Sequence, residues 1–97
     1  MMESVASIKK KLKSLKPRLQ QEYNVNDIGV FGSYATGTHR IDSDIDLMVS
    51  FSGSIGWKFF NLKTYLEQEL GLKVDLVTKD SLKKRLRDQI LNQVIFI

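Results

Sequence analysis

Residues 43–51, Ser-Asp-Ile-Asp-Leu-Met-Val-Ser-Phe, constrain the fold more than any other stretch of this chain. Ile45, Leu47, Val49 and Phe51 recur with a period of two, the signature of a strand with one apolar face turned to a core. The same period throws Asp44 and Asp46 onto the opposite face. Two carboxylates so placed repel each other, and burying either costs several kcal/mol, about 2–7 for an uncompensated polar group and more for a charge. A pair of hard divalent cations, Mg²⁺ above all, is the natural compensation. An Asp-x-Asp at a solvated strand end, with no ligand, is the ordinary alternative.

A third acid bears on that choice. Lys73-Val74-Asp75-Leu76-Val77 is a second short strand pattern in which Val74 and Leu76 face the core and Asp75 faces away. If the two strands pair in register, Asp75 joins Asp44 and Asp46 on one side of a small sheet, where three acids can hold two metals about 3.5–4 Å apart. Otherwise Asp75 only blunts an edge strand. Upstream, Ile28-Gly29-Val30-Phe31 reads as a strand ended by Gly32, where the backbone turns sharply. Ser33 is expected to cap a short helix, with free backbone N–H groups able to attract phosphate.

Gly32-Ser33, ten intervening residues, Asp44-Ile45-Asp46 and then Asp75 resemble the core motif of the DNA polymerase beta nucleotidyltransferase superfamily. The likeness is closest to its smallest members, the minimal nucleotidyltransferases encoded beside HEPN-domain proteins. Phe31-Gly32-Ser33-Tyr34-Ala35-Thr36-Gly37 and Asp42-Ser43-Asp44-Ile45-Asp46-Leu47 both look like that subfamily. One position departs: Thr36 stands where these proteins commonly carry Arg.

The resemblance implies an α/β nucleotidyltransferase fold and transfer of AMP from ATP to a hydroxyl, with two Mg²⁺ ions. Asp44, Asp46 and Asp75 would be the catalytic and metal-binding acids, and Gly32 and Ser33 would bind the nucleotide. The implied acceptor is a tyrosine of a HEPN toxin, silenced by this chain as its antitoxin. A non-catalytic antitoxin that works by contact alone is the second reading, to which Thr36 lends support. A basic nucleic-acid-binding module is the third, and it leaves the acids unexplained.

With 97 residues the chain has room for a single domain, residues 1–97. There is no Cys, so no disulfide and no thiolate metal site, which suits a cytoplasmic protein. No secretory signal is visible and no stretch approaches the ~20 apolar residues of a membrane span. The net charge of +4 gathers in lysines and arginines near the two ends. A basic rim of this kind could steer ATP or an acidic partner, and could equally be two solvated helix faces. Direct nucleic-acid binding is not expected.

The expected architecture is a small mixed three-stranded sheet flanked by helices. Val5, Ile8, Leu12 and Leu15 mark a first helix, with a break and restart near Pro17. Trp57, Phe59, Phe60, Leu62, Tyr65, Leu66 and Leu70 mark an aromatic-rich helix ended by Gly71, its aromatics assigned to the core. A last helix is expected after a cap at Asp80 or Ser81, with Leu82, Leu86 and Ile90 on one stripe. The apolar residues 94–97 either return to the sheet or form a subunit contact, so a homo-oligomer is one expectation. His39, in a polar loop, is read as a solvated side chain.

Overall fold

The computed structural model describes residues 4–97. Helix α1 (Val5–Tyr23) opens on Ser4, whose hydroxyl accepts from the Ser7 N–H at 3.1 Å. It closes on Asn24 in the left-handed region, with φ 54°. Strand β1 (Val25–Phe31) and a five-residue helix α2 (Gly32–Thr36) follow, then strand β2 (Ile45–Phe51) and helix α3 (Lys58–Leu70). Strand β3 (Val74–Thr78) leads through a 3-10 turn (Lys79–Ser81) into helix α4 (Lys84–Gln93) and a two-residue strand β4 (Ile95–Phe96).

The sheet is mixed, as expected, but has four strands rather than three, in the order β3-β2-β1-β4. The extra strand is the apolar tail. Ile95 and Phe96 pair antiparallel with Val30 and Gly29, and the Ile97 N–H donates to the Ile28 carbonyl at 3.0 Å. Gly29 makes this return possible, since a Cβ at that position would lie 2.5 Å from Val94 Cγ2. Two residues are too short a run to read as a strand by periodicity. Of the two expectations for this tail, the return to the sheet is the one observed.

One face of the sheet carries the main core. Ile28 and Val30 from β1, Ile45, Leu47 and Val49 from β2, and Val74 and Leu76 from β3 pack with Ile8, Leu12 and Leu19 of α1 and Leu62, Leu66 and Leu70 of α3. Each of these strands therefore points its alternate residues away from that core, which is where the acids emerge.

Three further expectations are corrected. Helix α1 runs unbroken through Pro17. Its stripe of Ile8, Leu12, Leu15 and Leu19 keeps helical phase across the proline, so burial of both halves outweighs a penalty of about 3 kcal/mol. In α3, Phe59 and Tyr65 do pack against the core, but Trp57 is 85% exposed and Phe60 60%. Phe60 lies beside the Phe59, Leu62, Leu66, Leu70 stripe, and Trp57 precedes the first helical residue. The last helix begins at Lys84 after Lys83, without a side-chain cap, because Asp80 and Ser81 are spent in the 3-10 turn. Leu86 is accordingly exposed, while Ile90 is buried.

Candidate active site

Asp46 is the centre of the site. It lies on β2 opposite Phe31 of β1 on one side and Asp75 of β3 on the other. Because β2 and β3 are parallel, Asp46 and Asp75 share a register position, and the alternation that buries Ile45, Leu47, Val74 and Leu76 turns both acids to the other face. Asp44, just before the strand, is exposed, as is Asp75; Asp46 is half-buried. Met48, also off the main core, is buried next along the same face of β2.

This placement shows in the chemistry of Asp46, whose pKa rises from 3.8 to about 6. Burial is the largest cause, followed by the charge of Asp75, hydrogen bonding with Asp75, and the charge of Asp44. Asp75 and Asp44 therefore both act on Asp46. Among the described residues, however, no three acidic or imidazole side chains close into a ready-made metal cage. The donor set is carboxylate oxygen throughout, the chemistry that suits Mg²⁺, and its mutual repulsion is what a divalent cation relieves.

Gly32 closes the other side of Asp46. It has φ +70°, and a Cβ there would overlap the Asp46 carboxylate at Oδ2. Only glycine allows the turn after β1 to lie against the acid. The expected Ser33 cap is not what forms: α2 begins at Gly32 after Phe31, with no side-chain cap, and Ser33 sits in its first turn. With Gly32 taking the turn itself, the helix begins two residues before the Tyr34 start that a Ser33 cap implies. Gly32 and Ser33 are thus brought beside Asp46, at the end of β1 next to β2.

The turn is fastened from behind. The Thr36 hydroxyl lies 3.3 Å from the Gly32 carbonyl, 3.4 Å from the Ser33 carbonyl and 2.9 Å from Thr38 Oγ1. The Thr38 N–H donates to the Ser33 carbonyl at 2.9 Å. His39 is not simply solvated. Its ring stacks on the buried Tyr34 with centroids 3.9 Å apart and planes 11° from parallel, tying the loop to the core.

One feature has no counterpart in the sequence pattern. A cleft of about 330 Å³ opens beside Asp44, between residues 41–44 and residues 71–73. The Ile45 N–H donates to the Lys73 carbonyl at 2.9 Å and pins these two segments together. No local signal marks such a cleft, because its walls come from segments far apart in sequence.

Comparison with known proteins agrees with the fold. The profile of the nucleotidyltransferase domain family matches residues 9–97. The protein adenylyltransferase MntA of Thermococcus cleftensis is 41% identical over 97 residues, covering 99% of this chain and 95% of that protein. A solved structure described as a minimal nucleotidyltransferase superposes with a TM-score of 0.81 at 34% identity, covering 96% of this chain and 95% of the other. A toxin–antitoxin structure with AMP-PNP superposes with a TM-score of 0.69 at 28% identity, covering 97% of this chain and 72% of that one. With its acids at the starts of β2 and β3 and its Gly32-Ser33 turn beside them, this chain belongs to the nucleotidyltransferase domain family, among the minimal nucleotidyltransferases.

Proposed function

We propose that this enzyme transfers AMP from ATP to a tyrosine hydroxyl of a HEPN-domain partner and thereby acts as its antitoxin. The observation that carries the reading is the register match of Asp46 with Asp75, with Gly32 against the same carboxylate. The relative from Thermococcus cleftensis supports the protein acceptor, and the structural neighbour with AMP-PNP supports the adenine nucleotide. The HEPN identity of the partner rests on the sequence resemblance.

In this mechanism the backbone of Gly32 and Ser33 holds the β- and γ-phosphates. Asp44, Asp46 and Asp75 would hold two Mg²⁺ ions, which when bound offset charge on the phosphoryl oxygens and acidify the acceptor hydroxyl. The phenol oxygen attacks the α-phosphorus, the bond from that phosphorus to the bridging oxygen breaks, and pyrophosphate leaves. Asp75, exposed at the sheet edge, takes the phenolic proton. The half-buried Asp46 stays fixed by its neighbours and keeps the cluster aligned.

A second reading, inhibition by contact alone, is favoured by one observation. The Thr36 hydroxyl is engaged within its own turn, so position 36 offers substrate no cation. One experiment separates the two: the partner is incubated with this chain, ATP and Mg²⁺ and then weighed by mass spectrometry. Transfer predicts a gain of AMP that Asp44→Asn, Asp46→Asn and Asp75→Asn each abolish, together with neutralisation. A partner that is inhibited without gaining mass, and equally so by all three variants, would sink the enzymatic reading.

A further inference from the structure

Apart from Asp44, the residues lining the cleft between residues 41–44 and residues 71–73 have no part in the account above. The cleft lies at the β3 side of Asp46, the side of Asp75, whereas Gly32 and Ser33 lie at the β1 side. Phosphate cradle and cleft therefore flank the acids from opposite directions. This is the arrangement required when donor and acceptor must meet in line over them.

Size and lining narrow the occupant. A volume of about 330 Å³ is near the bottom of the ~300–1,000 Å³ range of small-molecule pockets. That is enough for one side chain and its flanking backbone, and small for a whole nucleoside triphosphate. Its walls combine apolar Ile41 and Leu72 with the carboxylate of Asp42 and the ammonium of Lys73. Leu72 is anchored against the core, but Ile41 is 69% exposed on a polar loop. Apolar side chains beside charges of both signs suit a polypeptide segment: an aromatic side chain on Ile41 and Leu72, and neighbouring charged residues on Asp42 and Lys73.

We infer that this cleft is the acceptor site, seating the tyrosine-bearing segment of the partner protein with its phenol toward Asp44 and Asp75. The inference rests on the protein adenylyltransferase reading and adds where the acceptor is recognised. The transfer is the one written above: the phenol oxygen gains the α-phosphorus, pyrophosphate departs, and the proton leaves to Asp75.

The test uses the full chain and a HEPN-domain acceptor protein that it modifies under the proposed function. Ile41→Asp and Lys73→Ala alter exposed side chains. Ile41→Asp is expected to raise KM for the acceptor protein at least ten-fold with KM for ATP unmoved. Lys73→Ala should raise it several-fold, and Ile41→Val should restore it. An unchanged acceptor KM overturns the inference, and a rise confined to the KM for ATP does so in favour of a nucleotide seat. Because the chain has no Cys, Ile41→Cys gives a unique attachment point for a photo-crosslinker, with Gln21→Cys on α1 as control. Crosslinking from position 41, but not 21, into the peptide that carries the acceptor tyrosine supports the site, and its absence overturns it. Should the wild type transfer no AMP yet still crosslink from position 41, the enzymatic reading falls while the cleft stands as the docking site.

Discussion

Gly32 rests against Asp46 so closely that a single methyl group at position 32 would overlap the carboxylate. The turn proposed to hold phosphate is therefore packed directly against the acid proposed to hold metal. Gly32→Ala should disturb both. Its left-handed φ adds strain of about 1–2 kcal/mol. The expected result is a variant that still folds, loses at least ten-fold in AMP transfer, and melts a few degrees lower. Calorimetry and a transfer assay on the same sample check both parts.

The raised pKa of Asp46 makes a prediction about pH. The folded group releases its proton near 6 and the unfolded one near 3.8, so the native state holds more protons between those values. Stability of the metal-free protein should therefore fall as pH rises from about 4 to about 6, then level off. After allowance for solvent screening of a half-buried group, the loss is about 1–2 kcal/mol. Asp46→Asn should flatten this slope. Denaturant titrations across the pH range, with and without the substitution, measure it.

Magnesium should act against the same repulsion. If it binds only the native state, Mg²⁺ at 100 times its Kd adds about 2.7 kcal/mol at neutral pH. The gain should shrink toward pH 5, where Asp46 holds its proton, and should largely vanish in Asp46→Asn. Melting curves in magnesium and in chelator test this, and a melting temperature indifferent to magnesium would count against the metal site.

Removing residues 94–97 should destabilise the chain. Val94, Ile95 and Ile97 are half-buried, Ile97 packs against the core, and the Ile97 carbonyl accepts from Lys16 Nζ at 2.7 Å. Burial of a whole aliphatic side chain is worth about 1.5–3 kcal/mol, so partial burial of three suggests a loss of about 2–4 kcal/mol. Gly29→Val should have a similar effect by displacing Val94. A truncated protein as stable as the whole would show that β4 contributes nothing to the fold.

Pro17→Ala tests the unbroken helix. The substitution restores a backbone donor within α1, and the gain should be about 1–2 kcal/mol, below the full ~3 kcal/mol helix penalty because proline also restricts the unfolded chain. A destabilised Pro17→Ala would mean the proline bends α1 into a shape that packing needs.

What could be read from the sequence was whatever repeats with the period of its own element. The alternation around Asp44 and Asp46, and around Val74, Asp75 and Leu76, placed the strands and turned the acids away from the core. The register of Asp46 with Asp75 was a condition that the parallel pairing of β2 and β3 fulfils. Pairing of distant segments left no such trace. β4 depends on a gap above Gly29, and the cleft depends on Lys73 meeting the start of β2. Pro17 and Trp57 depart from local rules for a related reason: such rules weigh a residue by type, whereas burial is decided by the stripe it falls on.

Parallel strands cannot be joined by a tight turn, and here the crossover between β2 and β3 carries the whole of α3. Asp46 and Asp75 consequently meet only once that long loop has closed and α3 has docked on the sheet. Contacts of such sequence separation form at a large entropic cost and tend to come late in folding. A nascent or partly unfolded chain would display the Asp44-Ile45-Asp46 segment without its third acid. The centre is thus self-proofing: only a chain that has completed its fold has all its acids in place.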